Sequence, residues 1–72
     1  MTETEMAELG RIAGVLEGKK FVEAFQPLAK HNMWCLRFDV AEIDISIHSG
    51  EYDPSERILE EVRRQLGLLA QR

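Results

Sequence analysis

The sequence predicts an α+β fold: a two-layer sandwich with an N-terminal helix, a small antiparallel β-meander of two to three strands and a C-terminal helix, both helices lying on one sheet face. Three observations predict it. Apolar residues recur at helical spacing near both ends of the chain, they alternate through "MWCLRFDVAEIDISIH" in the middle, and "DPSE" marks the start of the last helix.

The first helix is expected over about residues 4–17, where Met6, Leu9, Ile12, Ala13 and Leu16 fall on one side of a helix wound at 100° per residue. Gly18 supplies the stop, because glycine enters the left-handed conformation at a helix C-terminus without a steric penalty, and Lys19 and Lys20 complement the negative end of the dipole. Gly10, Gly14 and Gly18 repeat every four residues on the side away from that stripe, with Ala7 beside them. Each interior glycine costs roughly 1 kcal/mol against alanine. A close helix-to-helix approach in a homodimer, with Gly10 and Gly14 as the contact, would account for the strip; a tolerated surface accident is the other reading.

Residues 20–26 leave two readings open. Phe21, Phe25 and Leu28 fit helical spacing, whereas Pro27 would remove a bond from that helix, and the Phe and Val content before it suits a short strand. As a strand, Glu23 would share a face with the two phenylalanines, an inward charge of the kind that guards an edge. A hairpin follows over residues 33–48. With Val40 and Ala41 as its loop, Trp34 faces Ile47, Leu36 faces Ile45 and Phe38 faces Ile43, while Arg37 meets Asp44 on the other side.

The last helix is expected over about residues 54–70, with Asp53 as N-cap, Pro54 at the first helical position and Glu56 completing a capping box. Ile58, Leu59, Val62, Leu66 and Leu69 form its inward stripe, and Glu60 can pair with Arg64 outside. These elements make one small domain with one sheet face covered by helices and the other open.

A chain of 72 residues buries a marginal core without help from disulfides, metal or oligomerisation. A lone Cys35 forms no internal disulfide, so a homodimer is the expected aid. The single cysteine and the acidic start "MTETEMAELG" predict a cytoplasmic protein, and no apolar run approaches membrane-spanning length. Nine basic against thirteen acidic residues give a net charge of −4, which repels phosphate backbones, so neither nucleic acid nor membrane is an expected partner.

His31, Cys35 and His48 are the residues from which a metal or nucleophile set would be drawn, Cys35 and His48 being diagonal neighbours in the expected register. No CxxC or HxxxH accompanies them, so no metal or cofactor is assigned. Asp39, Glu42 and Asp44 gather near the hairpin tip, where general acid chemistry would need a pocket that a chain this small lacks. No residue is assigned as catalytic.

Two families resemble parts of this pattern. The order helix, three strands, helix is similar to the double-stranded RNA-binding domain over nearly the whole chain, which implies a lysine-rich start to the final helix. Here that stretch is "DPSERILEEVRR", acidic where phosphate would lie. "HNMWCLRF" and "IDISIHSG" resemble the pterin carbinolamine dehydratases at His31, Phe38 and His48, with Asn32 and Met33 in place of that family's second histidine and proline. That resemblance implies a helix over residues 20–31 and acid–base roles for His31 and His48.

The reading these features favour is a small acidic, non-catalytic protein-binding module, an adaptor, inhibitor or regulatory subunit. It would dock a protein with a basic surface through the open face or edge of its sheet, using Arg37, Asp39, Glu42, Asp44 and His48. Two alternatives stand beside it: a small dimeric enzyme using histidine acid–base chemistry at a subunit interface, and a self-assembling structural protein.

Overall fold

The computed structural model describes residues 1–70, in the order α1 (Glu3–Glu17), β1 (Phe21–Phe25), β2 (Met33–Phe38), β3 (Glu42–Ser46) and α2 (Ser55–Ala70). The three strands form one antiparallel sheet in the order β1-β2-β3. Both helices pack on the face carrying Trp34, Leu36, Phe38, Ile43 and Ile45, which makes the two-layer α+β sandwich. Ile58, Val62 and Leu66 of α2 are wholly buried there, each contributing roughly 1.5–3 kcal/mol through removal from water.

α1 is rolled about its axis relative to the expected stripe. Met6, Gly10, Ala13 and Gly14 face inward, whereas Ile12, Val15 and Leu16 are 40%, 83% and 53% exposed. The aromatic rings decide this. Phe21 and Phe38 meet edge to face at 5.7 Å under the helix, and only a glycine surface lets α1 approach them. A Cβ at Gly10 would stand 2.5 Å from Phe21 Cε1, and one at Gly14 would stand 3.3 Å from Phe38 Cε1. Gly10 and Gly14 therefore serve the core of their own chain and are not available as a seam between copies.

The hairpin register differs from the expected one by two residues. Trp34 pairs with Ile45, Leu36 with Ile43 and Arg37 with Glu42, and the Phe38 N–H donates to the Ala41 carbonyl at 2.8 Å, so Asp39 and Val40 make the connection. A slip of two residues leaves every side chain on its expected face, because the pleat repeats every second residue. Neither Asp39 nor Val40 has a positive φ, so the turn does not demand glycine.

A β-bulge lies in β1. Phe21 to Glu23 spans a single step of β2, Phe38 to Arg37, leaving Val22 as the extra residue. Alternation is reset there: Phe21 and Ala24 turn to the core, while Glu23 and Phe25 stand beside Arg37 and Cys35 on the open face. Glu23 is thus an outward residue and not the inward guard expected. Residues 21–25 are extended, and the helix over 20–31 that the dehydratase resemblance implies is not formed.

The caps also exchange places. The capping box forms at α1, where the Thr2 side chain accepts from the Glu5 N–H at 3.2 Å and the Thr2 N–H donates to Glu5 at 2.9 Å. At α2, Asp53 accepts from the Ser55 N–H at 3.1 Å, and the return bond expected from Glu56 is absent among the described residues. Arg64 pairs with Glu61 at 2.6 Å in place of Glu60, while Arg63 reaches across to Glu17 of α1 at 2.8 Å.

Candidate functional site

The residues expected to bind a partner fall into three places. Arg37, Glu42 and Asp44 project from the open sheet face. Arg37 is paired there with Glu23 at 2.7 Å, not with Asp44. Asp39 braces the fold, its carboxylate accepting from the Lys20 N–H at 3.2 Å while its own N–H donates to the Lys20 carbonyl at 2.9 Å. These two bonds tie the hairpin tip to the segment before β1. His48 lies beyond the end of β3.

Cys35 sits in the middle of the open face yet is only 3% exposed. It belongs to the central strand, with Phe25 on one side and Asp44 on the other, and its thiol lies 3.7 Å from a Glu42 carboxylate oxygen. Burial, reinforced by the charges of Glu42 and Asp44, pushes the thiol up to about 11. That environment holds the sulfur protonated and unreactive at neutral pH. The register also separates it from His48, which follows Asp44 by four residues, about 13 Å along a strand. Among the described residues no three of His, Cys, Asp and Glu gather as a cation cage.

The two sheet edges differ. On β1 the bulge at Val22 and Pro27 just beyond the strand interrupt the edge, two devices that hinder pairing with another strand. β3 has neither. Its ladder to β2 is pinned by Phe38 N–H to Ala41 O at one end and Ile47 N–H to Asn32 O, 2.7 Å, at the other. Antiparallel bonding alternates, so residues 41, 43, 45 and 47 bond to β2 and the backbone groups of Glu42, Asp44 and Ser46 turn outward. The Arg57 guanidinium occupies one of these, donating to the Ser46 carbonyl at 2.7 Å.

Two hollows follow this edge along the seam with α2. One, about 520 Å³, is lined by Asp44, Ser46, His48, Arg57, Glu60 and Arg64 among others. The second, about 160 Å³, lies between Ala41, Glu42 and Ile43 on one side and Gln65, Leu68 and Leu69 on the other. Glu51 grips Arg57 through two oxygens at 2.6 and 2.9 Å and closes the His48 end of the seam. Arg57 holds the Glu51 carboxyl below its ordinary value and is itself raised by Glu51.

His31 and His48 are brought together elsewhere, around a hollow of about 320 Å³ with Gln26, Asn32, Trp34 and Ile47. Among the described residues no carboxylate lines it. Sequence reasoning located Glu42 and Asp44 but missed α2's contribution to the seam, since Arg57, Glu60 and Arg64 read from the sequence only as a solvated helix face.

No helix among the described residues is long and apolar enough to cross a membrane. No protein-family model matches this chain, and no curated protein or solved structure matches it.

Proposed function

We propose that this chain is a non-catalytic protein-binding module, an adaptor, inhibitor or regulatory subunit, that receives an extended basic segment of another protein along the free edge of β3. The observation that carries the reading is the edge itself: a regular strand with outward backbone groups at Glu42 and Asp44, bordered by the two hollows of the seam with α2. Strand addition takes its affinity from main-chain hydrogen bonds and its specificity from the pockets that receive alternate side chains. Glu42 and Asp44 flank the position of the incoming strand, and at the polar end of the seam Arg57 and Arg64 are already tied to Glu51 and Glu61, so the charges of Glu42, Asp44 and Glu60 favour Lys and Arg in the partner. The same acidic side chains oppose pairing of two β3 edges, because antiparallel pairing centred on Asp44 would set like charges directly opposite.

Asp44→Pro tests this. Proline is tolerated on an edge where the lost N–H faces solvent, so the ladder to β2 survives while the outward donor disappears. Captured protein from a lysate of the source organism, identified and rebound in purified form, is expected to bind wild type and to lose at least tenfold affinity for Asp44→Pro and for Glu42→Lys. Equal binding to all three forms would remove the β3 edge from consideration.

A second reading, histidine acid–base chemistry at a subunit interface, draws on the shared hollow of His31 and His48. Screening small polar metabolites by imidazole NMR shifts tests it: a compound that moves both histidines supports it, and shifts at neither count against it.

A further inference from the structure

We propose that the segment received along β3 alternates in chemistry, with basic residues facing Glu42 and Asp44 on the open side of the sheet and one aliphatic residue between them, facing Ile43 and lying against Leu68 of α2. The inference rests on the edge-docking reading and names what that edge selects.

The pleat fixes which side each residue of the segment takes. The backbone groups of Glu42 and Asp44 turn outward from β3, so an added strand sets a residue opposite each of them with its side chain on the same side of the sheet. The residue between points to the helix side. A slip of one residue would exchange the two sets, and the alternation of outward backbone groups along β3 forbids it.

The two sides differ in chemistry. On the open side the carboxylates of Glu42 and Asp44 are exposed, and Arg37, which pairs across the sheet with Glu42, is already held by Glu23 at 2.7 Å. Basic side chains facing these two positions therefore meet negative charge that Arg37 does not cancel. On the helix side a row of α2 residues at helical spacing borders the edge: Arg57, Glu61 and Arg64 toward Ser46, then Gln65 and Leu68 toward Glu42. Opposite Ile43 lies the hollow of about 160 Å³ walled by Ala41, Leu68 and Leu69, where Leu68 is 48% exposed. A valine or isoleucine there removes Leu68 from water, whereas a lysine gives up hydration against an apolar wall. At the other end the Ser46 carbonyl is occupied by Arg57 at 2.7 Å, so main-chain pairing centres on residues 42–44 and the segment recognised is short.

The test is a titration of the isotope-labelled full chain with synthetic peptides, acetylated and amidated at their ends, followed through the backbone amide signals. Ser-Lys-Val-Lys-Ser is expected to move the signals of Glu42 and Asp44 and to bind about tenfold tighter than its isomer Ser-Lys-Lys-Val-Ser, which cannot set both lysines on one side of the sheet. Leu68→Glu changes a half-exposed side chain, and circular dichroism checks that the fold is kept. It is expected to shift the preference between Ser-Lys-Val-Lys-Ser and Ser-Lys-Lys-Lys-Ser about tenfold toward the second. Equal affinity for the two isomers, with the Glu42 and Asp44 signals still moving, overturns the alternation and leaves the edge reading in place. An unchanged preference in Leu68→Glu overturns the contact with Leu68. No movement of either signal with any of the peptides overturns both the alternation and the edge reading.

Discussion

The α-carbon of Gly14 lies so close to the main chain of Lys19 that a Cβ there would stand 2.5 Å from the Lys19 carbonyl oxygen. The contact is backbone against helix, and the Lys19 N–H bond to the Gly14 carbonyl at 2.8 Å fixes it. Gly14→Ala should lower stability despite alanine's helix propensity gain of about 1 kcal/mol, because crowding of this kind costs roughly 1–3 kcal/mol. Thermal melting should show a drop of several degrees; a rise would mean that the helix faces the other way.

Ala29 presents the opposite case. Its φ is +63°, at the third position of a turn closed by the Lys30 N–H donating to the Pro27 carbonyl at 3.2 Å. An L side chain is strained in that conformation, and glycine is the residue that turn position favours. Ala29→Gly should raise stability by about 0.5 kcal/mol after the extra freedom of the unfolded chain is offset, read as a higher urea midpoint with unchanged slope.

Alkylation of Cys35 should be slow. With the thiol at about 11, roughly one molecule in a thousand carries a thiolate at pH 8. Because the folded value lies above the unfolded one near 9.0, the stability tied to this group is complete below pH 9 and is lost as pH rises through 11. Glu42→Gln with Asp44→Asn should lower the thiol's pKa and quicken iodoacetamide labelling, though burial keeps it above that of a free thiol. Labelling of the folded wild-type protein at the rate of free cysteine would contradict the burial of the sulfur.

At low pH the sign reverses. Glu51 is held down by Arg57, Glu61 by Arg64, Asp53 by the Ser55 N–H and Glu5 by the Thr2 N–H. Groups depressed on folding add stability that is fully present above their unfolded values, near 4.5 for Glu and 3.8 for Asp, and lost as pH falls through the folded ones. Arg57→Met should lower the melting temperature at neutral pH and flatten its decline below pH 4.5. A parallel decline in both forms would show that the Glu51–Arg57 pair is not the acid-sensitive element.

The sheet's inner face was legible in the sequence because alternation survives a slip of two residues: Trp34, Leu36, Phe38, Ile43 and Ile45 face the helices in either register. α2 was legible because its apolar stripe and Asp53 agree. The extent of α1 was legible too, but not its inward face, since a hydrophobic stripe assumes that the largest apolar residues go inside, whereas Phe21 and Phe38 from other elements fill that space and require glycine opposite. The outward turn of Glu23 was hidden for a related reason, as nothing at Val22 announces a bulge. Thr2 and Glu5, by contrast, spell a capping box that could have been read.

The two edges of the sheet are unequal: the bulge at Val22 and Pro27 blunt β1, while β3 runs regular from end to end. The sheet could therefore lengthen on one side only, and an added strand would end the growth unless it brought an open edge of its own.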